Sequence, residues 1–89
     1  MSDLTGEIAV VTGAAQGLGY AVAKAYAQAG MKVALIDVKA DTLQKVSDEI
    51  QAAGGECLVI PADLSDVYET QRAASEVLGE YGVPRALVH

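Results

Sequence analysis

The chain has 89 residues, 52% of them hydrophobic, and a net charge of −6. That length allows one small domain, which buries only about 60–65% of the surface its unfolded form exposes, and the apolar content separates it from disordered chains. The acidic balance argues against nucleic acid or an anionic membrane as partner, because both repel a negative surface.

The opening segment, Met1-Ser2-Asp3-Leu4-Thr5-Gly6-Glu7, has no basic stretch ahead of an apolar core and does not read as a signal peptide. No apolar run approaches the roughly 20 residues of a membrane-spanning helix. The single cysteine, Cys57, lies in an apolar run and is expected to be a small core residue in a reducing compartment. A cytoplasmic protein is the expectation.

Ile8-Ala9-Val10-Val11 is apolar without alternation, as a strand covered on both faces requires. A glycine-rich stretch, Thr12-Gly13-Ala14-Ala15-Gln16-Gly17-Leu18-Gly19, follows it directly. Leu18, Val22, Ala25, Tyr26 and Ala29 then recur at helical spacing and predict a buried stripe, with Gly30 as its stop. Val33 to Ile36 predicts a second strand, ended by Asp37.

Leu43, Val46, Ile50 and Ala53 predict the inner face of a second helix, with Asp41 and Lys45 paired on its wet side and Gly54-Gly55 beyond its end. Cys57 to Ile60 is a third apolar run. A third helix is expected to bury Val67, Ala74, Leu78 and Tyr81, with Ser65 or Asp66 as cap and Glu69 completing a capping box. Gly82 and Pro84 close it, and Ala86-Leu87-Val88 predicts a fourth strand. The order β-α-β-α-β-α-β implies parallel pairing through right-handed crossovers. In the doubly wound arrangement the strands lie 3-2-1-4, and a ligand crevice opens at their carboxyl ends.

At the end of the first strand the backbone must turn sharply and then approach a ligand closely, and a β-carbon obstructs both, which accounts for Gly13, Gly17 and Gly19. A helix that starts near Gly17 directs free N–H groups and a positive dipole end at a phosphate. Asp37 ends the next strand, where a carboxylate accepts hydrogen bonds from the hydroxyls of an adenosine ribose and repels a 2′-phosphate. Gln16, just before the second glycine, is uncharged, and Lys39 is the only basic residue close by. NAD is therefore the expected cofactor, with NADP disfavoured.

The spacing Thr12-Gly13-x-x-x-Gly17-Leu18-Gly19, preceded by Leu4-Thr5-Gly6-Glu7-Ile8-Ala9-Val10-Val11, resembles the short-chain dehydrogenase/reductase family, although Lys is more usual where Glu7 stands. Ala62-Asp63-Leu64 is similar to the family's adenine-contacting segment, and Ala86-Leu87-Val88-His89 to the start of its Asn-Asn-Ala-Gly region. The resemblance implies an α/β fold, the N-terminal part of a Rossmann-type doubly wound parallel sheet, with residues 1–89 as one dinucleotide-binding unit. It implies cofactor contacts from Gly13, Ala15, Gln16, Gly17, Leu18, Gly19, Asp37, Val38, Asp63 and Leu64. In a full-length member it implies hydride transfer between the nicotinamide and an alcohol or ketone, in a homo-oligomer. No metal and no nucleic-acid or membrane partner is implied.

Tyr20-Ala21-Val22-Ala23-Lys24 spells the family's catalytic Tyr-x-x-x-Lys, but it falls in the helix after the glycine turn, whereas the family's pair lies far downstream. Tyr20, Lys24 and Gln28 also lie opposite the expected buried stripe and are expected to face solvent. His89 occupies the position of the family's first Asn and, as a last residue without supporting structure, is a poor general base. No catalytic residue is expected in this chain, which reads as an N-terminal portion that is inactive alone. The alternatives are a stand-alone nucleotide-binding or interaction module without activity, and a methyltransferase-like unit, whose turn fits the glycine spacing poorly. An apolar strand edge at Ala86-Leu87-Val88 disfavours the stand-alone module. The isolated chain is expected to self-associate in sedimentation experiments; a sharp two-state melt of a monomer would contradict this.

Overall fold

The computed structural model describes residues 3–89, so Met1 and Ser2 of the opening segment lie outside the described residues. Every expected element is present: β1 (Ile8–Thr12), α1 (Gly17–Gln28), β2 (Lys32–Asp37), α2 (Ala40–Ala52), β3 (Glu56–Pro61), α3 (Val67–Glu80) and β4 (Ala86–Val88). The strands form one sheet in the order β3-β2-β1-β4, as the doubly wound reading predicts. All pairings are parallel: Val10 stands opposite Ala34 on one side and Leu87 on the other, and Ala34 stands opposite Leu58.

Side chains alternate across the sheet, and each face has its own core. Ala9, Val11, Val33 and Leu35 pack with Ala23 and Met31 and with Leu43, Val46 and Ile50 of α2. Ile8, Val10, Ala34, Ile36 and Ile60 pack with Ala62 and with Ala73 and Val77 of α3. The first face thus carries α1 and α2, the second α3 alone. Over β1 and β4 the second face stays open as an apolar cleft of about 440 Å³, lined by Val10, Ile36, Val77, Leu78 and Leu87 among others. Leu87 is 69% exposed there, although it belongs to a strand. No helix among the described residues is long and apolar enough to cross a membrane.

Three expectations about the helices are corrected. In α1 the inner face runs through Tyr20, Val22, Ala23 and Tyr26, which are buried or half-buried, whereas Leu18, Ala25 and Ala29 are exposed. Leu18 stands out because the adjacent Gly19 meets β1, and a helix turns about 100° per residue. In α2 the expected Ala53 is exposed and is the residue after the helix; Ser47 takes the inner face instead. In α3 the buried residues are Ala73 and Val77, while Val67, Ala74 and Leu78 are exposed, the last two beside the open cleft. Tyr81 is half-buried, as expected of a core-facing residue.

Local polar contacts also differ. Asp66 caps α3, accepting from the Tyr68 and Glu69 N–H groups, but Glu69 does not close a capping box. Its carboxylate accepts instead from the Asp63 N–H at 2.9 Å, which ties the loop after β3 to α3. Asp41 and Lys45 are not among the ion pairs of the described residues. Cys57 is half-buried, with its sulfur 3.1 Å from the buried Ser47 hydroxyl, a partner ten residues away.

Leu43 is fully buried and Leu18 is 79% exposed. Leu43→Ala is expected to cost about 2–5 kcal/mol, and Leu18→Ala less than about 0.5 kcal/mol. Urea denaturation of the two variants checks this, and equal losses would place α1 in the orientation first read from its sequence.

Candidate functional site

Because β1 and β2 run parallel, their carboxyl ends open on the same edge, with Thr12 opposite Ile36. The chain leaves β1 through Gly13, whose φ is +64°, and enters α1 at Gly17, whose φ is +63°. Both lie in the left-handed region that side chains with a β-carbon disfavour. Gly19 has a different reason. A β-carbon there would stand 2.2 Å from the Gly13 carbonyl oxygen, so α1 can sit this close to the end of β1 only without one.

Between these glycines, Ala14 and Ala15 are buried. The Ala14 N–H donates to the Ile36 carbonyl at 3.3 Å. The Ala15 N–H donates to the Asp37 carboxylate at 3.1 Å, and the other oxygen of that carboxylate accepts from the Lys39 N–H at 3.2 Å. Gln16 is extended at the start of α1 and makes no side-chain cap. The N–H groups of this first turn are therefore left without the side-chain acceptor that Asp66 supplies to α3. The Gln16 side chain points elsewhere: its oxygen accepts from the Lys39 ammonium at 3.0 Å.

A crevice of about 300 Å³ lies over the strand ends, lined by Thr12, Gly13, Asp37, Val38, Leu64 and His89 together with Ile36 and Ala62. Of the residues expected to contact a cofactor, the structure thus gathers Gly13, Asp37, Val38 and Leu64 around one space, with Ala15, Gln16, Gly17, Leu18 and Gly19 in the turn and first helical turn beside it. Val38 and Leu18 are exposed at 61% and 79%. Asp63 does not line this crevice. One of its oxygens accepts from both the N–H and the hydroxyl of Ser65, at 3.0 and 2.7 Å, and these bonds, the hydroxyl's first, hold its carboxyl below the usual range. In this conformation Asp63 shapes the turn before α3.

His89, expected to lack supporting structure, has its ring nitrogen 2.9 Å from the Thr12 hydroxyl and lines the crevice. That contact follows from the pairing of β4 with β1, which carries the end of one strand to the end of the other.

The Tyr20-x-x-x-Lys24 pair lies away from the crevice, between α1 and α2. The Tyr20 hydroxyl donates to Glu49 at 2.8 Å, and the Lys24 ammonium reaches Glu49 at 2.8 Å and the Tyr20 oxygen at 3.3 Å. Tyr20 and Lys24 are half-buried against α2, which corrects the expectation that they face solvent, whereas Gln28 is exposed as expected. The contact with Glu49 raises the Lys24 pKa, and Lys24 in turn lowers that of Glu49. Both groups are thereby stabilised in their charged forms, as an ion pair between the two helices. The cluster is a clasp between two helices.

A family model for short chain dehydrogenase matches residues 7–89, and the chain belongs to that family. It is 38% identical over 87 residues to the uncharacterised oxidoreductase UxuB of Bacillus subtilis, covering 98% of this chain and 31% of that protein. It is also 38% identical over 79 residues to the 2,5-dichloro-2,5-cyclohexadiene-1,4-diol dehydrogenase LinX of Sphingobium indicum, covering 89% of this chain and 32% of that one.

Among solved structures, a metagenomic short-chain oxidoreductase in complex with NADP superposes with a TM-score of 0.91 at 38% identity, over 97% of this chain and 39% of the other. A short chain dehydrogenase/reductase from Burkholderia phymatum in complex with NAD gives 0.92 at 36%, over 98% and 31%. The chain spans about a third of the length of the relatives it matches. The sheet is that of a Rossmann fold, and the family is one of oxidoreductases.

Gly19→Ala forces its new β-carbon against backbone and is expected to cost about 1–3 kcal/mol as overpacking. Urea denaturation measures it, and a G19A chain as stable as the parent would contradict the packing described for the turn.

Proposed function

We propose that this chain is the NAD-binding part of a short-chain dehydrogenase/reductase-type oxidoreductase and that residues 1–89 form a single dinucleotide-binding unit. The observation that carries the reading is the glycine turn lying against the Asp37 carboxylate at the mouth of one crevice. Bound there, NAD supplies a hydride acceptor. The chain's part is to hold its adenosine diphosphate half. The open N–H groups at the start of α1 face the pyrophosphate, with Gly13, Ala15, Gln16, Gly17, Leu18 and Gly19 as the cradle. Asp37 accepts from the ribose hydroxyls, Val38 and Leu64 flank the adenine, and Asp63 meets its amine by leaving Ser65.

Binding and orientation are all these residues offer the reaction. The one Tyr-x-x-x-Lys match is the helix clasp, so the groups that move protons to and from an alcohol or ketone are supplied by other parts of a whole protein, which in this reading is a cytoplasmic homo-oligomer. A self-contained binding module fits less well, because an apolar cleft of about 440 Å³ lies open beside β4.

The preference for NAD follows from charge. Asp37 stands where a 2′-phosphate would come, Gln16 brings no positive charge, and Lys39 is bonded to Gln16. The solved relatives include complexes with each cofactor, so family membership does not decide between them. Titrating both nucleotides against the folded chain is expected to show NADP binding at least about tenfold more weakly, or ~1.4 kcal/mol. Tighter binding of NADP would overturn the preference, and binding of neither would overturn the function.

A further inference from the structure

The Asp37 carboxylate is already engaged without any ligand. One oxygen accepts from the Ala15 N–H at 3.1 Å and the other from the Lys39 N–H at 3.2 Å. Ala15 is 4% exposed and precedes the first residue of α1, so its N–H has no helical carbonyl to reach. A buried N–H must find an acceptor, and an ionised carboxylate is the stronger kind. The neighbouring Ala14 N–H is held by the Ile36 carbonyl. Two successive N–H groups of the glycine turn therefore hang on the last two residues of β2, one on a main-chain oxygen and one on a side chain.

We propose that Asp37 is a positioning residue for the phosphate turn as well as a reader of the ribose: its carboxylate holds Ala15, and through it the path from Gly13 to Gly17, in the binding shape before a nucleotide arrives. This role rests on the reading of the crevice as a dinucleotide site, and deepens it. A carboxylate held at both oxygens has one orientation, and lone pairs remain on each oxygen for the ribose hydroxyls. Turn and acid then form one preorganised unit, so removing the acid disturbs binding of the pyrophosphate too.

The two roles separate with a ligand that has no ribose hydroxyls. ADP and 2′,3′-dideoxyadenosine diphosphate are titrated against the parent chain, Asp37→Ala and Asp37→Asn. A residue that only reads the ribose leaves dideoxy-ADP affinity unchanged in D37A. The positioning role predicts a loss of at least about fivefold for dideoxy-ADP as well, with D37N, which keeps an acceptor for Ala15, within about threefold of the parent.

Amide hydrogen exchange on the nucleotide-free chain gives a second readout. The Ala15 N–H is expected to be protected at least about 100-fold in the parent. It is expected to exchange at least tenfold faster in D37A while Val33 and Leu35 stay protected. An unprotected Ala15 in the parent overturns the proposal without recourse to any variant, as does an unchanged Ala15 rate in a folded D37A. If the parent binds neither nucleotide, the cofactor reading fails, and the exchange comparison still decides whether Asp37 holds the turn.

Discussion

The parallel register of β1 on β2 is the constraint on which the crevice depends. Thr12 stands opposite Ile36, so the glycine turn leaves one strand just where Asp37 closes the other. The register is held by burial on both faces: Val11, Val33 and Leu35 face α1 and α2, while Val10, Ala34 and Ile36 face α3. A slip of one residue would send each of these side chains to the opposite core and would carry Asp37 out of reach of Ala15. The geometry of the strand ends is thus secured by packing several residues away.

Three devices then shape the turn itself. Left-handed backbone at Gly13 and Gly17 folds the path, the missing side chain at Gly19 lets α1 settle on the end of β1, and the bonds from Ala14 and Ala15 to the end of β2 keep the loop from drifting. The helix that results has no side-chain acceptor at its start. In α3 Asp66 fills that position, so that N-terminus is closed by a side chain of its own, while the start of α1 keeps N–H groups that the proposed nucleotide phosphate would use.

Much of the fold was legible in the sequence because the strands are continuous apolar runs with turn residues between them; strand order, pairing direction and the placement of the glycine turn all followed. The helix faces were less legible. Four of the twelve residues of helix α1 are alanine, whose size lets it lie inside or outside, so the pattern gave Leu18 undue weight and hid the demand that Gly19 touch β1. Contacts made across the fold carry no local signature. Asp37 meets Ala15 at a separation of 22 residues, Lys24 meets Glu49 at 25 and Thr12 meets His89 at 77. Reading Glu69 as part of a capping box failed for a different, local reason: the Asp63 N–H, six residues away, offered it another partner. At the candidate site the grouping of Gly13, Asp37, Val38 and Leu64 around one crevice was legible, and the turn of Asp63 toward Ser65 and the bonds within the site were not.

The most direct test of the account is a nuclear magnetic resonance titration of the labelled chain with NAD, read residue by residue. The largest shifts are expected at Gly13, Ala15, Gly17, Leu18, Gly19, Asp37 and Val38, around the glycine turn and the strand ends. Shifts confined to Val77, Leu78 and Leu87 in the apolar cleft, or no shifts at saturating nucleotide, would contradict it.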